Sequence, residues 1–88
     1  MKTLKFGAIW CSGCLVMKPR WKEIETELPW LETEYHDADE ETELVKKYEI
    51  EKFPCFIFLD KNNNEIYRDY GEIEKKKLIE IIEKFKGQ

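Results

Sequence analysis

The sequence has few residues of the kinds that interrupt helices and strands, and it has no segment long and apolar enough to span a membrane. It contains 4 glycines, 3 prolines and 1 histidine among 88 residues, and no apolar run approaches the roughly 20 residues of a membrane-spanning helix. In the opening stretch, MKTLKFGAIW, the apolar run is too short for the hydrophobic region of a secretory signal, and no small-residue cleavage site follows it. We therefore expect no membrane association and a cytoplasmic location.

Clustered positive charge is also lacking. The formal net charge is -4 and the pI is about 5.1, and the lysines are interleaved with glutamates. A nucleic-acid-binding surface needs a basic cluster, so nucleic acid is not an expected partner. No repeat or low-complexity linker divides the chain, and its length suits one domain covering residues 1–88. We expect that domain to be a monomer.

The apolar residues are numerous enough for a folded core and are spaced in recognisable patterns. Hydrophobic residues make up 42% of the chain and aromatic residues 14%, and their periodicity predicts seven elements. These are a strand from Lys2 to Ile9, a helix from Cys11 to Leu28, a short strand from Trp30 to His36, a helix capped by Asp37 or Asp39 that buries Leu44, Val45 and Tyr48, an apolar strand from Phe53 to Leu59, a strand from Glu65 to Tyr70, and a helix that buries Leu78, Ile81, Ile82 and Phe85.

This order predicts an α/β protein with a mixed sheet. Strands separated by helices favour parallel pairing in the first half, whereas the turn at residues 60–64 requires an antiparallel pair in the second. Pro19 lies inside the first helix, where its missing N–H and its ring are expected to kink the axis. Trp21 has helical spacing from Met17 and Ile24 and is expected in the core.

A C-x-x-C motif, formed by Cys11 and Cys14, lies where the first strand meets the first helix. The unpaired N–H groups and the positive end of the helix dipole favour the thiolate form of Cys11. Cys14 follows one helical turn later and faces the same side, where it can attack a mixed disulfide formed at Cys11. In a reducing cytoplasm, a close cysteine pair indicates catalysis, redox sensing or metal binding.

The same spacing also provides half of a zinc site. Cys55 and His36 could complete a set of three cysteines and one histidine, but the chain has no second C-x-x-C and no H-x-x-H. We therefore expect no metal site. A lone histidine is expected to be solvated or locally hydrogen-bonded, and we assign no role to His36.

The chain resembles the thioredoxin family in four features of matching order and spacing. They are the W-C-x-x-C motif from Trp10 to Cys14, Pro19 five residues after the second cysteine, the pair Phe53-Pro54, and Gly71 before the last helix. The resemblance covers nearly the whole chain but lacks the N-terminal strand and helix of a full-length thioredoxin. It implies a thioredoxin-like fold, β-α-β-α-β-β-α, with a four-stranded mixed sheet and helices on both faces.

The resemblance also implies an activity, a donor and a binding groove. A thioredoxin-like protein reduces disulfide bonds in protein substrates, with Cys11 attacking and Cys14 resolving the mixed disulfide. It receives electrons from a thioredoxin-reductase-like donor and needs no bound cofactor. The resemblance implies that the peptide bond before Pro54 is cis. The residues implied to line the groove for the substrate's extended chain are Trp10, Phe53, Pro54 and Gly71.

Three departures from the family pattern affect these expectations. Ser12-Gly13 replaces the usual Gly-Pro pair, so the redox potential does not carry over. Lys5 stands where thioredoxins usually have a buried aspartate; it would snorkel to the surface or, if close, favour a thiolate on Cys14, and snorkelling is favoured. Cys55 follows Pro54, and an inert core role is favoured over a third thiol that traps a disulfide with Cys11 or Cys14.

Other functions fit parts of the same sequence. A glutaredoxin-like protein reduced by glutathione is compatible with the short fold, although the stretch before the last helix has Gly71-Glu72 in place of the expected Gly-Gly and acidic pair. A redox sensor, whose partner affinity changes when Cys11 and Cys14 are oxidised, also fits. A redox-inert interaction domain that uses its acidic surface is disfavoured because both cysteines are present.

Overall fold

The seven elements occur in the predicted order. In the computed structural model, which describes all 88 residues, they are β1 (Lys2–Gly7), α1 (Ser12–Glu27), β2 (Glu32–Asp37), α2 (Thr42–Lys47), β3 (Cys55–Leu59), β4 (Glu65–Tyr70) and α3 (Lys75–Phe85). None of the three helices has the length and apolar character needed to cross a membrane.

The strands form one mixed sheet in the order β2-β1-β3-β4. Strand β1 pairs in parallel with β2, where Lys5 lies opposite Tyr35. It pairs antiparallel with β3, where Phe6 lies opposite Cys55, and β3 in turn pairs antiparallel with β4. The predicted mixed sheet is therefore confirmed, with the short turn after Asp60 forcing the antiparallel pair.

Two hydrophobic clusters cover the two faces of the sheet. The larger contains α1 and α3 side chains packed on Phe56 and Phe58, while the smaller contains Leu4, Phe6 and Cys55 beneath α2. Neighbouring residues of a strand point to opposite faces, which is why Phe56 and Cys55 belong to different clusters. The prediction of helices on both faces is confirmed.

Helix α1 begins directly after the first cysteine. Cys11 is its N-cap, in an extended backbone conformation. The helix continues through Pro19 to Glu27 and buries Met17, Trp21 and Ile24 against the sheet. The core position predicted for Trp21 is confirmed, whereas the kink at Pro19 stays a prediction. The packing of this helix fixes where the two cysteines lie relative to β1.

Several predicted boundaries are wrong. Strand β1 ends at Gly7, and β2 begins at Glu32, two residues after Trp30. Neither Asp37 nor Asp39 caps α2, because that helix begins only at Thr42, after Glu41 at the N-cap. The Asp37 carboxylate instead accepts a hydrogen bond from the Asp39 amide and so closes the turn after β2.

The other end of the sheet matches the expected hairpin. The Asp60 carboxylate accepts hydrogen bonds from the amides of Asn62 and Asn64, and Asn63 has a positive φ of 64°. Asparagine tolerates this conformation better than most residues do. All five residues of β3 are buried, as the apolar run from 53 to 59 predicts for a central strand.

Candidate active site

The two cysteines of the C-x-x-C motif lie together at the N-terminus of α1. The Cys14 amide donates a hydrogen bond of 3.2 Å to Cys11 Sγ. Both are free thiols in this structure. The Cys11 sulfur therefore lies at the N-terminus of α1, at the positive end of the helix dipole, and accepts a hydrogen bond from a backbone amide.

Cys14 is held in its protonated form. Burial is the main cause that raises the pKa of its thiol to about 11, and its hydrogen bond to Cys11 adds to the effect. A thiol with this pKa is almost fully protonated at neutral pH. The geometry therefore distinguishes a sulfur that accepts hydrogen bonds, Cys11, from a thiol that stays protonated beside it, Cys14.

A loop containing Pro54 lies against the motif. The peptide bond between Phe53 and Pro54 is cis, the conformation that the resemblance implies. A Cβ on Gly13 would lie 3.1 Å from Pro54 Cδ, so the proline ring packs directly on the glycine between the cysteines. The Gly71 amide donates to the Pro54 carbonyl at 2.8 Å, which ties the turn after β4 to this loop.

Trp10 lies on the outer side of the motif. Its side chain is 64% exposed, and its ring meets the edge of Phe53 at 5.9 Å between centroids. The indole Nε1 donates to the Asp39 carboxylate at 2.9 Å. These two contacts hold an exposed aromatic surface next to Cys11.

A cavity of about 560 Å³ opens behind Cys14, between α1 and strands β1 and β2. Its wall includes Gly7, Tyr35 and Cys14, and its far end carries the ion pair between Lys5 and Glu25. A Cβ on Gly7 would lie 3.1 Å from Tyr35 Oη and 3.2 Å from Cys14 Sγ. The missing side chain of Gly7 therefore gives the thiol and the hydroxyl their space.

Lys5 does not behave as expected. Its side chain is only 15% exposed, and Nζ lies 2.5 Å from Glu25 Oε2, which also accepts from the Thr33 hydroxyl. Snorkelling is therefore the wrong prediction, because a carboxylate from α1 pairs with the ammonium below the surface. The alternative is not supported either, since the pKa of Cys14 is raised and not lowered.

Cys55 is separated from the cysteine pair by the sheet. It is 0% exposed and belongs to the cluster beneath α2, whereas Cys14 lies on the α1 face next to Gly7. Burial raises the pKa of the Cys55 thiol to about 11. Its surroundings are those of an inert core residue.

His36 is bound within its own neighbourhood. Its two ring nitrogens lie 2.7 Å from Glu41 and 3.2 Å from Glu34, and its ring stacks on Phe6. The structure contains no group of three histidine, cysteine, aspartate or glutamate side chains able to hold a metal ion. The zinc alternative would have required His36 and Cys55 to approach Cys11, and His36 is engaged elsewhere.

Sequence reasoning missed Tyr35, Gly7, Glu25 and Asp39 as neighbours of the site. Only Gly7 carried a signal, because a glycine inside a strand marks a place where another group approaches closely. Tyr35 read as one residue of an alternating strand, and Glu25 as part of a charged helix face. Their proximity to Cys14 or to Lys5 depends on how α1 crosses the sheet, which the local sequence does not specify.

Comparisons with known proteins show which family this chain resembles. A family model described as Thioredoxin matches residues 2–84. Thioredoxin-1 of Caenorhabditis elegans is 32% identical over 85 residues, covering 97% of this chain and 73% of that protein. The solved structure of Fasciola hepatica thioredoxin has a TM-score of 0.88 at 30% identity and covers 97% of this chain and 80% of its own.

A plant relative is more similar over a shorter stretch. Thioredoxin H5 of Oryza sativa subsp. japonica is 43% identical over 68 residues, covering 77% of this chain. The match takes in 50% of the plant protein, so this chain matches half of the length of that relative.

Proposed function

The chain belongs to the thioredoxin family, and on that premise we propose that it reduces disulfide bonds in protein substrates through Cys11 and Cys14. Membership suggests thiol–disulfide oxidoreductase chemistry in general. The observation that carries the finer proposal is the hydrogen-bonded contact between the two cysteines at the start of α1, with Cys11 as acceptor. A dithiol in this arrangement can form a disulfide across one helical turn.

The two cysteines take different roles in the proposed reaction. The Cys11 thiolate attacks one sulfur of the substrate disulfide, forming a mixed disulfide and releasing the other sulfur as a thiolate that takes up a proton. Cys14 then loses its proton and attacks Cys11 Sγ. The bond between Cys11 and the substrate breaks, the substrate leaves with two thiols, and the protein holds a Cys11–Cys14 disulfide.

The surroundings of the pair support a groove for an extended substrate chain. The exposed Trp10 and the Pro54 loop flank the motif, and the Gly71 turn is hydrogen-bonded to that loop. We propose that Trp10, Phe53, Pro54 and Gly71 contact the substrate beside its disulfide. Electrons return from a thioredoxin-reductase-like donor, which reduces the Cys11–Cys14 disulfide.

Reduction of insulin disulfides by dithiothreitol tests the activity. We expect the wild-type protein to accelerate the reaction, Cys11→Ser to abolish the acceleration, and Cys14→Ser to accumulate mixed disulfides through Cys11. Cys55→Ala is the matched control, since Cys55 lies across the sheet, and it should retain wild-type activity. A wild-type protein that does not accelerate insulin reduction would contradict the proposal.

A second assay tests the electron donor. The oxidised protein is incubated with NADPH and a thioredoxin reductase, or with NADPH, glutathione and glutathione reductase, and consumption of NADPH is followed. We expect turnover with the first system. Turnover with the second system alone would assign the protein a glutaredoxin-like role.

A further inference from the structure

The Tyr35 hydroxyl and the Cys14 thiol both lie close to the bare backbone of Gly7. The point that a Cβ of Gly7 would occupy is 3.1 Å from Tyr35 Oη and 3.2 Å from Cys14 Sγ. Real Cβ atoms rarely have such close neighbours, so any larger residue at position 7 would push the two groups away. The strand register brings Tyr35 here, because β2 runs parallel to β1 and Tyr35 pairs with Lys5, two residues before Gly7.

Tyr35 is not held here as a buried core residue. The residue is 57% exposed, and its hydroxyl oxygen lies beside the backbone of Gly7. The Tyr35 hydroxyl makes no side-chain hydrogen bond within the reduced protein, whereas Cys11 Sγ accepts a hydrogen bond from the Cys14 amide. A hydroxyl without a protein partner in the reduced state is free to donate a hydrogen bond at another stage of the reaction.

We propose that the Tyr35 hydroxyl donates a hydrogen bond to the Cys14 thiolate during resolution of the mixed disulfide. This inference rests on the proposed function. When Cys11 is bonded to the substrate, its sulfur is no longer a nucleophile. Cys14 must then become the nucleophile, and Tyr35 is the neutral donor beside it.

The chemistry of the two groups fits these roles. The pKa of Cys14 is about 11, so its thiolate is scarce at neutral pH unless something stabilises it. Burial, and then the negative charge of Asp37, raise the pKa of Tyr35 above its usual value of 10. The phenol therefore keeps its proton and acts as a donor, not as a base.

The charged groups around Cys14 do not supply the same hydrogen bond. On β1 the Lys5 ammonium is paired with Glu25 of α1. On β2 the carboxylate of Asp37 lines the same cavity, where a negative charge disfavours a neighbouring thiolate, and on α1 Lys18 and Lys22 line the cavity. The neutral hydrogen-bond donor beside Gly7 is the Tyr35 hydroxyl.

The resolving step with Tyr35 is balanced in atoms and electrons. The Cys14 proton passes to water, and the thiolate accepts the hydrogen bond from the Tyr35 hydroxyl. Cys14 Sγ then attacks Cys11 Sγ, the bond from Cys11 to the substrate sulfur breaks, and the substrate thiolate leaves and takes up a proton. Tyr35 keeps its own proton throughout, so no further reactant is required.

Reaction with one equivalent of 5,5′-dithiobis(2-nitrobenzoate) separates the two steps. Attack by Cys11 releases a first thionitrobenzoate and leaves the second bound in a mixed disulfide; attack by Cys14 releases the second. The Tyr35→Phe variant keeps the ring and removes only the hydroxyl. Tyr48→Phe is the matched control, because Tyr48 packs beneath α2 on the opposite face of the sheet.

We expect Tyr35→Phe to slow the second release about tenfold, the effect of losing a hydrogen bond to a charged group, and to leave the first release unchanged. The pH midpoint of the second release should move upward, because the Cys14 thiolate is less stabilised. Tyr48→Phe should match the wild type in both phases. A change in packing alone would alter both phases without moving the midpoint.

The outcomes separate this inference from the proposed function. If the wild type releases two equivalents and Tyr35→Phe matches it in the rate and pH midpoint of the second, the role of Tyr35 is overturned while the dithiol chemistry stands. Equal slowing of both phases in Tyr35→Phe also overturns it. A wild-type protein that releases only one equivalent overturns the proposed function and this inference together.

Discussion

The surroundings of individual residues in this protein differ enough to give identical side chains different chemistry. Cys11 accepts hydrogen bonds at a helix N-terminus, while Cys14, one turn away, is a partly buried thiol with a pKa of about 11. Cys55 has a similar pKa but faces the other cluster. Reactivity is therefore expected to depend on the hydrogen-bond donors and the helix end near each sulfur, and a cysteine count alone would not have separated the three.

Gly71 is a residue whose backbone, and not its contacts, determines its importance. Its φ of 83° is strained for residues with a side chain, and an added Cβ would meet nothing within 4 Å. We expect Gly71→Ala to lower the free energy of unfolding by about 1 kcal/mol. Because the Gly71 amide donates to the Pro54 carbonyl, the variant should also raise KM for protein disulfides.

The control for this prediction is Gly87→Ala. Gly87 also has a positive φ, 96°, and open space around it, but it follows the last helix near the chain end, where the backbone can relax. Urea denaturation of both variants measures the cost, and insulin reduction measures KM. Equal losses of stability in the two variants, with KM unchanged, would show that the Gly71 turn does not support the groove.

At the scale of elements, β1 joins the two halves of the sheet and carries the polar link to α1. One face of β1 contributes Leu4 and Phe6 to the core beneath α2, while the other presents Lys5 to the carboxylate of Glu25. The same carboxylate accepts from Thr33 of β2. A single α1 side chain thus ties together two strands below the cavity.

We expect the pairing of Lys5 with Glu25 to be visible in a double-mutant cycle. Glu25→Gln leaves a mostly buried ammonium without its counter-charge, and Lys5→Met leaves the carboxylate without its cation. Each single variant should lose about 1–3 kcal/mol of the free energy of unfolding, and the double variant should lose less than their sum. The pair's coupling energy is expected to exceed about 1 kcal/mol.

An exposed ion pair provides the comparison for that cycle. Lys75 lies 3.5 Å from Glu23, whose side chain is 64% exposed, so Glu23→Gln should cost less than about 0.5 kcal/mol. Chemical denaturation at low and high salt distinguishes the two pairs, since screening weakens the exposed one more. A Lys5–Glu25 coupling as small as that of the exposed pair would show that the buried link contributes nothing beyond packing.

The elements themselves were largely predictable, and their ends were not. Strand β3 and helix α3 have apolar patterns that allow one interpretation, and both lie within the predicted segments, although β3 begins at Cys55 and not at Phe53. The start of α2 was misjudged because Asp37 and Asp39 are good capping residues in general, yet here they close a turn and bind Trp10. Local propensity cannot distinguish a helix cap from a turn that needs the same side chain.

For the molecule as a whole, the sequence was sufficient for the fold and for the cysteine pair, but not for what lies behind that pair. Periodicity identified strands and helices, and the spacing of the C-x-x-C motif with Pro54 and Gly71 indicated the family. The cavity behind Cys14 arises from long-range packing of α1 across β1 and β2. The sequence shows that position 5 carries a lysine where thioredoxins usually have an aspartate. It does not show that Glu25, twenty residues away, is the partner of that lysine.

The reduced protein should lose stability in alkali as a consequence of its buried thiols. Burial raises the pKa of Cys14 and of Cys55 from 9.0 to about 11. Between these values the unfolded chain releases thiol protons that the folded chain retains. The stabilisation is therefore complete below pH 9 and is lost as the pH rises toward 11, with about 2 kcal/mol attributable to Cys55.

Cys55→Ala isolates that contribution because Cys55 lies in the cluster beneath α2, away from the reactive pair. At pH 8 the variant should be less stable than the reduced wild type, since it loses packed atoms from a core. The difference in the free energy of unfolding between the two proteins should narrow by about 2 kcal/mol as the pH approaches 11, because only the wild type has this thiol to ionise on unfolding. Urea denaturation of both proteins across this range, with dithiothreitol present, measures the narrowing. A difference that stays constant with pH would mean that Cys55 titrates alike in the folded and unfolded chain, and that its burial does not protect the proton.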